Sequence, residues 1–428
     1  MALEANNLAS DGGRKPLGQN ALGERIIALA ARLAQWSETP DGLTCTYLTP
    51  AHRAVAVELR DLMRAAGMTA EIDVVGNVVG RYAAADSGAK ALIVASHYDT
   101  VINAGNYDGR LGILAGLVAV EELHRTGRRL PFHVDVIGFA EEEGVRFSAH
   151  YIGSSAISGR FDMRILQRRD AAGQSVANAI HKAGFDPETI PSLARRPQDL
   201  AGYLEVHIEQ GPVLLQEGLP LGIVTSIAGT IRYSVTVTGQ VGHAGTVPMA
   251  LRRDAAAAAA EIVLYVERRC SAAPTLVGTV GRLSVPGGAI NVIPGRCDLS
   301  LDIRASDDAT RDAAAAAVLA EIDAIARRRK VTVDVKEIQR GPAAPCSPAL
   351  QAQLAAALER AGIPPRYLPS GAGHDAVSFS GVTDIAMLFV RCGNGGISHS
   401  PLETITAADA DIAVRALLDV LVSLPGSG

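Results

Sequence analysis

The chain has 428 residues, 48% of them hydrophobic, and carries 40 basic against 45 acidic side chains for a formal net charge of -5. That length exceeds what one hydrophobic core usually serves, so two domains are expected. The charge gives no electrostatic footing for nucleic acid, since the Arg-rich pieces Arg252-Arg253 and Arg327 to Lys330 are short and flanked by acids, and no apolar run reaches the ~18 residues of a membrane span.

The first 20 residues are polar, contain glycine and lack an apolar signal core, and they read as a loose tail. Residues 21 to 36 and 51 to 66 are spaced as amphipathic helices, and 70 to 82 as a strand pair around Gly76-Asn77. A buried strand is expected at 91 to 97, then a glycine-punctuated loop over 101 to 109 and an apolar helix from Leu111 to about His124. The apolar run 132 to 140 completes a β-α-β crossover, the unit of parallel sheets. After Val224-Thr225 the pattern changes. Residues 231 to 238 alternate as a half-exposed strand, Asp254 to Arg268 is an Ala-rich helix, and strands fall near Thr275 to Val285 and Arg296 to Arg304. A helix from about Asp308 to Arg328 and a strand from Val331 to Ile338 follow. This β-α-β-β-α-β order is that of a ferredoxin-like sandwich. From Ser347 the earlier character returns, with a helix to Ala361, a strand at Ile385 to Val390 and a helix from Ala407 to Leu424. The fold class is therefore α/β: a discontinuous domain with a mainly parallel sheet over 21-225 and 340-428, and an inserted α+β domain over 226-339.

Chemistry-bearing residues gather where open α/β sheets place their sites, beyond the C-terminal ends of strands. His97 and Asp99 close the run that begins at Ala91, Asp108 follows in the next loop, and Glu141, Glu142 and Glu143 end the run that begins at Phe132. An imidazole and several carboxylates at two strand ends make a metal site the first hypothesis. The plainer readings are a satisfied structural histidine at His97 and a solvated loop at 141 to 143. The five cysteines, Cys45, Cys270, Cys297, Cys346 and Cys392, never form a CxxC pair. They argue against a zinc ribbon or disulfide framework and fit reduced, buried thiols in a cytoplasmic protein.

Taken in order, Ser96-His-Tyr-Asp-Thr-Val101, Tyr107-Asp-Gly109, Ala140-Glu-Glu-Glu-Gly-Val-Arg-Phe147, Glu205-Val-His-Ile-Glu-Gln-Gly211, Gly242-His-Ala-Gly-Thr-Val-Pro-Met249, Asn291-Val-Ile-Pro-Gly295 and Ile397-Ser-His-Ser400 form a set. It resembles the amidase, hydantoinase and carbamoylase branch of the M20 metallopeptidase clan, from about residue 25 to the C-terminus. The resemblance implies two divalent metal ions, Zn or Mn, with Co or Ni also suited to such ligands. Asp108 would bridge them, His97 and His207 would complete one site, and Glu143 and His399 the other. Glu142 matches the general base that takes a proton from the attacking water and hands it to the leaving nitrogen. Asp99 matches the acceptor that fixes the His97 tautomer. The inserted domain is a lid and dimerisation domain in this family, and His243 matches a histidine that stabilises the oxyanion, often across a homodimer interface. Asn291 and Arg304 match groups that hold a substrate carboxylate, although Arg304 has a plainer use in pairing with Asp302 or Asp298. Gln210 and His374 match positions lining the pocket, and Glu141 has no counterpart.

The implied reaction is hydrolysis of a non-peptide C-N bond in a ureido or carbamoyl acid. Residues 103 to 112 and 389 to 399 look most like allantoate amidohydrolases, with N-carbamoyl-L-amino-acid hydrolase or β-ureidopropionase as the alternative. Arg391 is expected to face either a polar ureido substrate or solvent. A catalytically inactive ligand-binding protein is the reading of a different class, opposed by the presence of all five ligands and Glu142. A peptidase of the same clan is disfavoured by the matches at Gln210 and Gly242-His-Ala-Gly245. His52, His124, His133, His150 and His181, outside the motifs, are expected on the surface or in packing.

Overall fold

The computed structural model of the chain describes Gly18 and residues 20–425. The remainder of the expected N-terminal tail lies outside the described residues.

The larger of two main sheets has nine strands, and its centre is four parallel neighbours: His133–Phe139, Ala91–His97, Leu200–Ile208 and Ile385–Val390. Every residue of Ala91–His97, His133–Phe139 and Ile385–Val390 is buried. Strands covered on both faces are mostly apolar along their whole length, as these three are; the buried Asp135 in the second is met by Arg81. Thr69–Ile72 and Val78–Tyr82 extend the sheet antiparallel on one flank, Leu221–Ile227 and Ala344–Pro345 on the other. Tyr367–Ser370 pairs parallel with Leu221–Ile227. The sheet is thus parallel at its centre and antiparallel at both flanks. The helix Arg110–Arg125 lies on the central strands, and Ala21–Leu33 and Ala407–Ser423 pack against it.

The smaller sheet is antiparallel and has its own core. It runs Leu283–Ser284, Arg296–Ala305, Gly229–Thr238, Thr332–Gly341, with Leu276–Thr279 also pairing with Arg296–Ala305. Burial alternates along the two long strands, so Ile231, Tyr233, Val235, Leu299, Leu301 and Ile303 face one way. The helices Ala255–Cys270 and Asp308–Arg329 cover that face, each begun by an aspartate, Asp254 or Asp307, whose side chain accepts a backbone N–H of the first turn. Arg232, Asp302 and Arg304 fall on the opposite, polar face by the same two-residue period. The single strand expected near Thr275 to Val285 is two short pieces. Thr279 pairs with Asp302 and Leu283 with Leu299, so one extra residue is accommodated around Gly281 as a bulge.

No helix of the described residues is long and apolar enough to cross a membrane. All five cysteines are buried and free.

Candidate metal centre

Parallel strands present their C-terminal ends at one edge, and here four of them do so together. His97 ends Ala91–His97, and the Glu141-Glu142-Glu143 run follows His133–Phe139. His207 precedes the last residue of Leu200–Ile208, and His399 lies in the loop after Ile385–Val390. The register sets His97 opposite Phe139 and His207 opposite Phe389. Asp108, from the loop before Arg110–Arg125, enters this ring from above the strand ends. Its Oδ1 lies 3.3 Å from His207 Nε2 and 3.7 Å from His97 Nε2. Its Oδ2 is 3.0 Å from His399 Nε2, an atom 3.5 Å from Glu143 Oε1. The donor atoms form groups whose members all lie within 4.8 Å of one another: His97, Asp108 and His207; Asp108, Glu143 and His399; and His97, Glu142 and Glu143. Gly109 has φ +66, and a Cβ there would stand 2.4 Å from His97 Nε2, so the residue after Asp108 must be glycine.

Asp99 joins two of the strand ends. Its Oδ1 and Oδ2 accept the backbone N–H groups of Glu142 at 3.0 Å and Glu143 at 3.1 Å, and Oδ1 is 3.3 Å from His97 Nδ1. His97 Nδ1 also meets the Asp99 backbone oxygen at 3.1 Å, and His207 Nδ1 meets that of Ile208 at 2.9 Å. Carbonyl oxygens only accept, so both rings carry a proton on Nδ1 and turn Nε2 towards Asp108. Burial alone lowers the His97 pKa, but the hydrogen bond to Asp99 and the surrounding carboxylates hold it well above its ordinary value. The hydrogen bond to Asp108 lifts His399 to about 9. Burial pushes the Glu142 carboxyl well up, and, with the charge of Asp108, pushes Glu143 to about 7.

Among the described residues, no lysine or arginine pairs with Asp108, Glu142 or Glu143; the basic groups that meet Asp108 and Glu143 are imidazoles. Buried carboxylates without a fixed cation are costly, and mixed imidazole and carboxylate donors suit divalent ions. The residues present therefore fit such a metal.

Gln210 adopts φ 55, a left-handed backbone that few side chains tolerate, and so does His399. Gln210 Nε2 donates to Asp108 Oδ2 at 3.0 Å and lies 3.3 Å from His399 Nε2. His374 is buried behind His207: the rings meet edge to face at 4.4 Å, and its Nε2 bonds Ser370 Oγ at 2.8 Å. His243 and Asn291 stand together and are both exposed, at the two-stranded ribbon of Gly242–His243 and Val292–Ile293, where the Ala244 N–H donates to the Asn291 backbone oxygen. Neither has a hydrogen bond to the cluster among the described residues. Arg304 takes the plainer role at this stage: it grips Asp302 through Nε at 2.9 Å and Nη2 at 2.8 Å, while Nη1 donates to the Gly371 oxygen at 2.8 Å.

Arg391 is only partly exposed and has a partner that neither expectation named. It forms a two-pronged ion pair with Asp409 in the first turn of Ala407–Ser423, because the strand end and the helix start are adjacent only in the folded chain. Replacing Arg391 by Met should therefore destabilise the protein by ~1–3 kcal/mol, since it leaves a buried carboxylate unpaired, and should leave KM unchanged. A raised KM with unaltered urea unfolding would restore a substrate role.

Glu141 is fully buried, and neither of its carboxyl oxygens makes a close hydrogen bond among the described residues. Two residues beside the site escaped sequence reasoning. His150 Nδ1 meets the Glu142 backbone oxygen at 3.1 Å, and Glu403 accepts the N–H groups of Tyr107 and Asp108. Glu403 stands four residues after His399, and an acid so close to a candidate ligand was the available signal.

A metal-fitting cluster at the C-terminal edge of a central parallel sheet defines the class of protein, a metallohydrolase, and comparison with known proteins places the chain further. Residues 93–423 match the model of peptidase family M20/M25/M40. The chain is 39% identical to the N-carbamoyl-L-amino acid amidohydrolase of Geobacillus stearothermophilus, over 92% of this chain and 97% of that protein. It is 37% identical to the allantoate deiminase of Arabidopsis thaliana, over 97% and 85% of the two. A crystal structure of an amidase of the hydantoinase/carbamoylase family from Burkholderia multivorans superposes with a TM-score of 0.88 at 32% identity, covering 94% of this chain and 97% of that one. The chain belongs to peptidase family M20/M25/M40, in its amidase, hydantoinase and carbamoylase branch. The family is metal-dependent, in keeping with the donor groups described.

Proposed function

We propose that the chain hydrolyses allantoate at a ureido C–N bond, releasing ammonia, with two divalent ions, Zn or Mn. His97, Asp108 and His207 would hold one, and Asp108, Glu143 and His399 the other. The observation that carries this reading is the pair of donor groups sharing Asp108, with Glu142 in a third group beside them. Its relatives are amidohydrolases, and this chain is likewise a hydrolase of C–N bonds other than peptide bonds. When bound, the ions would polarise the scissile carbonyl and lower the pKa of the attacking water. Glu142, its backbone pinned by Asp99, takes the proton from that water and delivers it to the leaving nitrogen. Asp99 keeps His97 in one tautomer, and Gln210 donates its amide towards Asp108.

In this reading residues 226–339 are a ferredoxin-like lid and dimerisation domain on a catalytic domain of 21–225 and 340–428. Support comes from the spatial strand order Thr332–Gly341, Gly229–Thr238, Arg296–Ala305, Leu276–Thr279 with both helices on one face. Closure of the lid brings Arg304 and Asn291 to the substrate carboxylate, and His243 serves the oxyanion in a homodimer. Val241, Met249, Leu251 and Ile290, all exposed around the His243 ribbon, give that region the apolar surface a partner subunit needs. Gln210 and His374, the latter with its ring against His207, would line the substrate pocket. The buried free thiols suit a cytoplasmic location.

Allantoate is preferred on the likeness of residues 103 to 112 and 389 to 399 to allantoate enzymes; the ion pair of Arg391 removes that residue from the argument. An N-carbamoyl-L-amino acid is the second reading, favoured by the 39% identity to the Geobacillus protein. Ammonia release from both substrate types, by Zn- or Mn-loaded protein with a chelated control, decides between them. Chelator-sensitive turnover of allantoate alone supports the first, a preference for carbamoyl-amino acids the second, and no release from either refutes both. In the same assay Arg304→Lys should raise KM ~10-fold or more by losing the guanidinium fork, with metal content intact; an unchanged KM would remove Arg304 from the substrate site.

A further inference from the structure

We propose that Glu403 is a positioning residue that sets the separation between the two halves of the Asp108-centred cluster, an inference that rests on the two-metal reading. Glu403 is 4% exposed and lies in the loop between Ile385–Val390 and Ala407–Ser423. Its Oε1 accepts the backbone N–H of Tyr107 at 2.8 Å and of Asp108 at 3.1 Å. Its Oε2 accepts from Ser398 Oγ at 3.2 Å, next to His399. Ser398 Oγ also lies 3.1 Å from Asp108 Oδ2 and receives Gln210 Nε2 at 3.2 Å.

One carboxylate therefore ties together two loops that are 295 residues apart in sequence. The grip is on the main chain of Asp108, so both Asp108 carboxylate oxygens remain turned to the imidazoles. That distinction matters, because His97 and His207 sit on strand ends fixed by the sheet, whereas Asp108 and His399 are on loops. His399 moreover has the left-handed φ of 55 that needs outside support. The approach of Glu403 is built into the facing loop: a Cβ at Gly105 would come within 2.4 Å of the Glu403 side chain, so this carboxylate reaches its donors only past a glycine.

The test is titration of the metal-free protein with zinc against a competing chelator, together with urea unfolding of each metal-free form. The unaltered chain takes two equivalents. Glu403→Ala weakens the equivalent held by Asp108, Glu143 and His399 by ~10–100-fold, the range for partners that orient metal ligands, and the other one less, because His97 and His207 keep their places on the strands. Glu403→Gln, whose Oε1 still accepts the two N–H groups, recovers most of the lost affinity. Ser398→Ala cuts the same link from the His399 side and gives a smaller loss at the same equivalent, which keeps the inference testable should Glu403→Ala fail to fold. Unchanged affinities in all three variants, or equal weakening of both equivalents in step with lost metal-free stability, would overturn it and leave the metal reading standing. Absence of zinc binding by the unaltered chain would overturn both.

Discussion

Glu142→Gln should lower kcat by about 10²- to 10⁴-fold while metal content and unfolding midpoint stay near those of the unaltered chain. The amide keeps the length and shape of the side chain, and the backbone N–H of this residue still donates to Asp99 Oδ1 at 3.0 Å. What it loses is the capacity to hold a proton between water and leaving nitrogen. The carboxyl is buried, and Glu143, Asp375 and Asp99 oppose its ionisation, so removing one negative charge does not cost stability. Zinc or manganese analysis of the purified variant, set beside its ammonia release, makes the comparison. Turnover close to that of the unaltered chain would show that another group takes the proton.

The second large effect is expected at Asp108. Asp108→Asn should lower metal retention through dialysis and reduce kcat/KM by on the order of 10³-fold, the rate equivalent of the several kcal/mol that metal ions contribute to such hydrolysis. Asp108 is the residue whose two oxygens reach both halves of the cluster, Oδ1 towards His97 and His207 and Oδ2 towards His399. An amide presents one oxygen and one NH2 group, so one half faces donors where it needs a ligand. The variant should bind allantoate or a carbamoyl-amino acid weakly if at all, in contrast to Glu142→Gln, which retains its metal. Full metal content after dialysis would move the bridge away from Asp108.

Much of this site was visible before the chain was folded. His97, Asp108, Glu143, His207 and His399 stand in motifs whose order and spacing match a family, and the structure brings their donor atoms together. Ala91–His97 and Ile385–Val390 were found at their true ends, because a strand buried on both faces leaves an unbroken apolar run with polar residues beyond it. Leu200–Ile208 was not anticipated as a strand. It contains Glu205 and His207, both buried, and Glu205 takes hydrogen bonds from Tyr203 on its own strand and from the remote Ser96 and Ala376 N–H. Periodicity registers burial of apolar side chains, and it has no term for a carboxylate satisfied in part from two other segments.

By itself, then, the sequence determined the elements with regular patterns, the α/β class and the identity of the clustered donors, because each depends on local spacing or on a motif read along the chain. Only the tertiary structure decided which partners those residues meet. It gave Asp99 a second task at the backbone of Glu142 and Glu143, paired Arg391 with Asp409, and tied Glu403 to the backbone of Asp108. All are hydrogen bonds or ion pairs of short reach, and the residues that satisfy a buried charge are chosen by the crossing of strands and loops in space, which no local pattern records.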